Sequence, residues 1–379
     1  MDFSFISPKN IYFGSGKIEI LPEIINPSVT KIFLVLSRSA ICNDVVSKIL
    51  DKLKNRYDVK IFDQVKGEPD LGLIEECTRR VKAQKPDLII SIGGGSVIDT
   101  AKAAAGFSVN SGELTDYIEG VGTGKALVNN PIEHIAVPTT SGTGAEMTKN
   151  AVIKGKMQKF KRSFRHDKLI PSSVIIDPML TVSVPKTTTS YSGMDAITQL
   201  IESYISKKSN VLTDALALDG LSGAGQALID AYSNGQDTKA RERMAYASAL
   251  SGLCLANSGL GAVHGIAAGL GAVTSIPHGL ACAVLLKKVI KLNAPHIPQK
   301  SAALCKALTG RCAYEHGKDT QAIIEYITSL SKKLNIPENF SKFNITPEDK
   351  KEILKKVSSS SMSGNPYEMT DKEIESLII

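Results

Sequence analysis

The chain has 379 residues, 42% of them hydrophobic and 22% charged, with a formal net charge of +7. That length suits two domains with sizeable cores, and the modest charge without interleaved aromatics excludes a nucleic-acid reader. No apolar run reaches the roughly 18–20 residues of a membrane span, residues 1–4 lack a signal-peptide pattern, and six cysteines without a Cys-x-x-Cys argue against a disulfide framework or thiolate zinc site, so a reducing cytoplasm is expected.

The first half alternates two textures. Residues 11–13 read as a strand ending in the turn Gly14-Ser15-Gly16. Residues 31–36 form a continuous apolar run, the pattern of a parallel strand buried on both faces. Residues 43–55 carry Val46, Ile49, Leu50 and Leu53 on one helical side, and 59–62 form a further strand. A helix over 71–83 and a strand over 88–92 follow, with later strands at 135–137 and 174–176. Such alternation predicts a parallel sheet with helices on both faces. The basic stretch Lys149, Lys154, Lys156, Lys159, Lys161, Arg162, Arg165 and Lys168, opposed only by Asp167, reads as a solvated hairpin or loop. Its functional reading is a field that draws in an anionic cofactor or substrate.

Beyond about Pro185 the chain reads as helices alone, over 212–232, 239–255 and 301–307. Residues 263–276 are apolar nearly all round, which marks a buried helix. The expected division is therefore an α/β domain over 1–182 and an all-helical domain over 183–379.

Two loops carry ligand chemistry. Gly93-Gly94-Gly95-Ser96 stands between a strand and a helix, where glycines let backbone N–H groups approach a phosphate at a positive helix end. Ser96 is placed to cap that helix. The spacing is not Gly-x-Gly-x-x-Gly, so the dinucleotide fingerprint is not claimed. Pro138-Thr139-Thr140-Ser141-Gly142-Thr143-Gly144 follows the next strand, at the sheet end where open α/β folds bind ligands. Gly120-Val121-Gly122-Thr123-Gly124-Lys125 is no phosphate loop, because the spacing is wrong and Ala126 stands where a hydroxyl should hold magnesium.

The helical half supplies the metal chemistry. Asp195 and Gln199, four apart, project from one helix face, and His264 and His278 lie in otherwise apolar surroundings. Oxygen donors with two imidazoles suit Fe(II) or Zn(II). Satisfied core polar groups are the alternative reading.

In this order the motifs resemble the iron-containing (group III) alcohol dehydrogenase family over nearly the whole chain. The resemblance runs through Phe13-Gly14-Ser15-Gly16, Gly93-Gly94-Gly95-Ser96-x-x-Asp99-x-x-Lys102, the Pro138 to Gly144 loop and Asp177-Pro178. It continues through Gly193-Met194-Asp195-Ala196, His264, Pro277-His278-Gly279 and Asn365-Pro366. It implies a Rossmann-like parallel-sheet domain followed by an all-helical domain, as in the dehydroquinate synthase-like superfamily, with NAD(P) and a divalent metal bound. By the resemblance, Gly94, Gly95 and Ser96 contact the pyrophosphate, and Asp99 and Lys102 line the cofactor site. Thr139, Thr140 and Thr143 lie near the phosphates and the nicotinamide ribose.

The family's metal is held by an Asp and three His. Asp195, His264 and His278 match; Gln199 stands where the third His belongs, and Ala268 replaces a further His common after the first metal histidine. The implied ligand set is Asp195, Gln199, His264 and His278, with the amide the weakest donor. After the second strand, Ser37 and Arg38 replace the acidic residue of NAD-preferring relatives and suit a 2′-phosphate, so NADP(H) is expected over NAD(H). The implied reaction interconverts a small aldehyde or ketone and its alcohol, in a homodimer. The alternatives are a metal-independent reductase of an anionic carbonyl, like those acting on maleylacetate or phosphonoacetaldehyde, a dehydroquinate-synthase-like cyclase, and a non-catalytic nucleotide-binding relative.

Overall fold

Branched aliphatic runs make the strands of the first half, and they pair in parallel. The strands are β1 (Asn10–Phe13), β2 (Lys31–Leu36), β3 (Asp58–Phe62), β4 (Leu88–Gly93), β5 (Glu133–Pro138), β6 (Asn150–Gly155), β7 (Phe160–Arg165) and β8 (Ser173–Ile176). Six of them form one sheet in the order β1-β8-β5-β4-β2-β3, every pair parallel, and β6 and β7 form an antiparallel ribbon. The computed structural model describes residues 2–155, 157, 159–311 and 314–378.

The chain divides into two compact units. The α/β unit comprises Ile6–Thr140 and Ala145–Ser183, and the helical unit comprises Met1–Phe5, Ser141–Gly144 and Val184–Ile379. The expected fold class is the one observed, a parallel six-stranded sheet domain with a helical C-terminal domain.

In the α/β unit, strand alternation feeds two cores. Ile32, Leu34, Leu36, Ile90 and Ile92 pack on one face, and Phe33, Val35, Ile89 and Val97 pack on the other. Both faces are covered, which is why β4 is buried along its whole length. Asp177 ties the sheet's edge: its carboxylate accepts from the N–H groups of Gly16 (3.1 Å), Ile18 (3.2 Å) and Met179 (3.0 Å). The chain steps outward from β2 to β3 and then returns to lay β4 on β2's other side. That reversal is the switch point at which open α/β sheets bind ligands.

The basic stretch is indeed a hairpin, although it is not simply solvated. Ala151, Ile153, Phe160 and Phe164 turn one face of β6 and β7 into a core with Phe107 and Tyr117. Several of its charges are paired: Lys149 with Asp167 at 2.7 Å, Arg165 with Glu119 at 3.3 Å, and Lys161 with Glu68. Lys156 lies outside the described residues.

In the helical unit the Lys186–Ile205 helix is buried over most of its length and packs against Val211–Leu221, Thr238–Ser258 and His278–Asn293. The helix expected over 212–232 is two, Val211–Leu221 and Ala224–Ser233. Gly223, at φ 73°, takes the left-handed conformation that breaks the run. The helix expected over 263–276 is Ala262–Val273, because Thr274 turns extended ahead of Pro277. No single described helix is long and apolar enough to cross a membrane; Thr238–Ser258 and Ala262–Val273 reach that threshold only as a pair bent by 97°. The five described cysteines are free thiols.

His134 on β5 gives the α/β unit a pH signature. It is 5% exposed, and its Nε2 lies 2.8 Å from Ser91 Oγ on β4. Burial, helped by the Lys102 charge, pushes its pKa down from 6.5 to about 3. Between those values the unfolded chain binds a proton that the folded chain refuses, so stability falls as pH drops through that window. Denaturant unfolding between pH 7 and 4 should show this loss, and His134→Gln should flatten the slope. An identical slope in the variant would assign the loss to other groups.

Candidate metal centre and nucleotide edge

Asp195, Gln199 and Glu202 recur at helical spacing along the Lys186–Ile205 helix, and each is at most 3% exposed. Glu202 does the first part of the assembly. The Ala262–Val273 helix begins at Gly261, which has no side chain to cap it. Its N-terminal N–H groups are met from elsewhere. Glu202 Oε1 accepts from Val263 N at 2.6 Å, Glu202 Oε2 accepts from His264 N at 3.4 Å, and Asn365 Oδ1 accepts from Ala262 N at 3.1 Å. A Cβ on Gly261 would stand 2.9 Å from both Glu202 Oε1 and Asn365 Oδ1, so the close approach requires glycine. Asn365 is itself held by a reciprocal amide pair with Asn293, at 2.9 and 2.8 Å.

The same carboxylate sets the His264 ring. Glu202 Oε2 lies 2.7 Å from Nδ1, while Nε2 faces Asp195 Oδ1 at 3.0 Å. Carboxylates only accept, so without a metal both ring nitrogens donate, Nδ1 to Glu202 and Nε2 to Asp195, and Nε2 is the one a metal ion would take in place of its proton. His278 opens the next helix, His278–Asn293, just after Pro277. Its Nε2 is 3.8 Å from Asp195 Oδ1, and its side chain keeps 26% exposure. One turn on, Cys282 Sγ lies 3.7 Å from His264 Nε2 and 3.8 Å from His278 Nε2.

Donor atoms of Asp195, His264, His278 and Cys282 all lie within 4.8 Å of one another. Usual metal–ligand lengths and tetrahedral angles put neighbouring donors about 3.3–3.6 Å apart. The separations of 3.0 to 3.8 Å around Asp195 and the two rings bracket that range. The residues therefore fit a zinc- or iron-sized ion.

Without an ion, charge is distributed accordingly. Burial alone would raise the Asp195 carboxyl, but His278 and the His264 hydrogen bond outweigh it and hold it below the usual carboxylate range. Burial also opposes a charge on His264. The Cys282 sulfur and the carboxylates of Asp195 and Glu202 override it and push the imidazole well above its ordinary value. Burial carries the Cys282 thiol up to about 11, so at neutral pH it keeps its proton in the absence of a metal. A proton or a metal ion can occupy the space between His264 and Asp195, and each offsets the same negative charge.

Gln199, expected as a ligand, presents its amide oxygen to Ser251 Oγ at 2.9 Å. Cys282 and Glu202 were not anticipated. Each had a signal: Glu202 lies seven residues after Asp195 on one helix face, and Cys282 lies four residues after His278.

The other expected residues fall mainly at one edge of the α/β unit. Ser37 caps the short helix Arg38–Ile41 by accepting from Ala40 N, and Arg38 is exposed. Gly94 is the N-cap of Gly95–Phe107, no side chain caps that helix, and Ser96 sits inside its first turn rather than capping it. A Cβ on Gly94 would meet Thr140 Oγ1 at 3.2 Å, and Thr139 N bonds Gly93 O at 3.0 Å. Ser37, Arg38, Gly94, Gly95, Ser96, Thr139 and Thr140 thus gather at the carboxyl ends of β2, β4 and β5. Thr143 is exposed and belongs to the Ser141–Gly144 segment of the helical unit.

Asp99 and Lys102 turn elsewhere. Asp99 Oδ2 accepts from Val152 N at 3.1 Å. The Lys102 ammonium, 1% exposed, donates to Ala145 O (2.8 Å), Thr148 O (3.1 Å) and Asn150 O. Lys102, expected to line the cofactor site, also lies 3.5 Å from Asp99 Oδ1, and its donors hold the segment that leads into β6.

Comparison with known proteins gives a consistent result. A family model described as iron-containing alcohol dehydrogenase matches residues 8–178. A second, for the C-terminal part of the Fe-containing alcohol dehydrogenase family, matches residues 189–379. Alcohol dehydrogenase 4 of Saccharomyces cerevisiae is 31% identical over 99% of this chain and 97% of the yeast protein. An NADPH-dependent butanol dehydrogenase of Clostridium saccharobutylicum is 30% identical over 98% of this chain and 96% of its own. Among solved structures, a 1,3-propanediol oxidoreductase superposes with a TM-score of 0.93 at 29% identity, over 100% of this chain and 99% of that one.

The Glu202 contacts make a prediction of their own. Glu202→Gln keeps an oxygen for Val263 N–H but offers an amide donor to His264, which favours the tautomer with its proton on Nε2. Metal affinity, measured by competition with a chelator, should fall roughly 10–100-fold while the helical circular-dichroism signal is kept. Unchanged affinity would remove Glu202 from the metal's support.

Proposed function

The chain belongs to the iron-containing alcohol dehydrogenase family and is an alcohol dehydrogenase or aldehyde reductase of class EC 1.1.1; from that premise we propose that it reduces a small aldehyde with NADPH at a metal held by Asp195, His264 and His278. The observation that carries this reading is the convergence of those three side chains, with Glu202 fixing His264 from behind. A divalent ion bound there supplies Lewis-acid polarisation of the carbonyl and stabilises the developing alkoxide. Everything else falls to the chain's own residues.

Glu202 keeps the His264 Nδ1 proton in place, so Nε2 remains the donor atom throughout turnover. Asp195 offers its carboxylate from a rigid, buried helix, which limits reorganisation as charge develops. The half-exposed His278 marks the side of the cluster from which a substrate reaches it. In the α/β unit, the Gly94–Ser96 turn offers free-standing N–H groups to the pyrophosphate at an uncapped helix end. NADPH bound in the α/β unit would supply the hydride for the carbonyl carbon, and Ala268 offers no proton donor one turn beyond His264, so the proton for the oxygen would come from outside these side chains.

Arg38 supports NADP(H) as the cofactor. It is exposed directly after β2 at the sheet's switch point, next to the hydroxyls of Ser37 and Ser39, which lie 3.1 Å apart. No carboxylate stands there to repel a 2′-phosphate. The butanol dehydrogenase relative is NADPH-dependent by name. The pairing of Lys149, Lys161 and Arg165 weakens the case for an anionic substrate and leaves short uncharged aldehydes as the class to test first.

Purified protein supplied with NADPH, short-chain aldehydes and Zn(II) or Fe(II) should consume NADPH. Prior chelation should abolish the rate, and His264→Ala should lower kcat by at least a hundredfold. NADPH left unconsumed with every aldehyde and metal would sink the reading. Arg38→Asp should shift the NADPH-to-NADH preference in kcat/KM towards NADH by roughly tenfold, the worth of one lost charge-assisted contact; an unchanged ratio would contradict the cofactor assignment.

A further inference from the structure

We infer that the Cys282 thiolate is the metal's fourth protein ligand, in the place the Gln199 amide leaves, so that the centre is an Asp-His-His-Cys site. The inference rests on the proposed metal centre and goes beyond it in naming the ligand set and the ion it selects. Three observations carry it. Cys282 Sγ is nearly equidistant from the two imidazole Nε2 atoms, at 3.7 and 3.8 Å. A nitrogen and a sulfur sharing one tetrahedral ion stand about 3.6 Å apart, from bond lengths of about 2.05 and 2.3 Å. The sulfur thus lies where a shared ion needs it, with little movement.

The second observation concerns the competitor. Gln199 Oε1 already accepts from Ser251 Oγ at 2.9 Å, and the Ser251 hydroxyl also lies 2.8 Å from Ser248 O in its own helix. With one lone pair turned to Ser251, the amide oxygen could ligate only through its other one, as a neutral and weak donor. The third observation is backbone support. Cys282 is fully buried and stands one helical turn after His278, so one rigid segment carries both donors. Cysteine at this position is more than a small apolar filler, because three other donors converge on its sulfur.

Binding displaces the thiol proton to solvent and leaves an S–M bond, with no change of oxidation state. The set then carries two negative charges, from Asp195 and Cys282, which match a divalent ion. A soft thiolate with two imidazoles ranks Zn(II) and Co(II) above Mn(II) and Mg(II).

Cobalt reports the ligand directly. The metal-free full-length chain titrated with Co(II) should develop, at one equivalent, a near-ultraviolet sulfur-to-cobalt charge-transfer band together with intense tetrahedral d–d bands. Cys282→Ser should lose the charge-transfer band and bind Co(II) at least tenfold more weakly. Adding Gln199→His to Cys282→Ser should restore tight binding without the band. A wild-type cobalt complex with no charge-transfer band would overturn the assignment without needing any variant to fold, as would a band that survives in Cys282→Ser. Neither result depends on turnover. NADPH consumption that persists alongside a sulfur-free cobalt spectrum refutes this inference while leaving the proposed function standing.

Discussion

One buried carboxylate organises the helical unit. Glu202 takes two helix-terminal N–H groups and one imidazole N–H, at 2.6, 3.4 and 2.7 Å. Burying an ionised carboxylate costs several kcal/mol, and each hydrogen bond to a charged group returns about 1.5–3 kcal/mol. Three donors and a positive helix end are what make the burial tolerable, and this ties the side chain's place to its partners. The Ala262–Val273 helix starts where Glu202 and Asn365 meet its first N–H groups, since Gly261 cannot cap it. His264 is consequently delivered to Asp195 by the same contact that closes the helix. Fold and site share one interaction.

That sharing explains which parts were legible in the sequence. Strands such as Lys31–Leu36 and Leu88–Gly93 announce themselves because burial on both faces demands continuous apolar runs, and the structure places them within a residue of expectation. The helix break at Gly223 was missed because helical periodicity is as good on either side, and only the backbone conformation separates them. Asp195, His264 and His278 stood out as polar residues in apolar surroundings. Glu202 and Cys282 did not, for different physical reasons. Glu202 sits in a sequence that reads as an ordinary helix turn, and its partners lie 61 and 62 residues away. Cys282 belongs to a residue type as much at home in a core as at a metal, so its chemistry emerges only when the two rings are placed beside it.

Lys102 teaches the opposite lesson. By resemblance it was expected to line the cofactor site, and its ammonium is enclosed by backbone carbonyls of Ala145, Thr148 and Asn150. The buried Asp99 carboxylate, 3.5 Å away, and the carbonyl cage together make burial of that charge tolerable. Gln199 is a similar case. Expected as a ligand, its amide oxygen meets Ser251 Oγ at 2.9 Å, and the inferred fourth donor, Cys282, stands on the His278–Asn293 helix beside His278.

X-ray absorption at the metal edge of the purified zinc-loaded enzyme tests this account most directly. The account predicts one sulfur scatterer at about 2.3 Å and a shell of nitrogen and oxygen at about 2.0–2.2 Å, including two imidazoles. A shell of nitrogen and oxygen alone would contradict it, as would an ion with no imidazole signature at all.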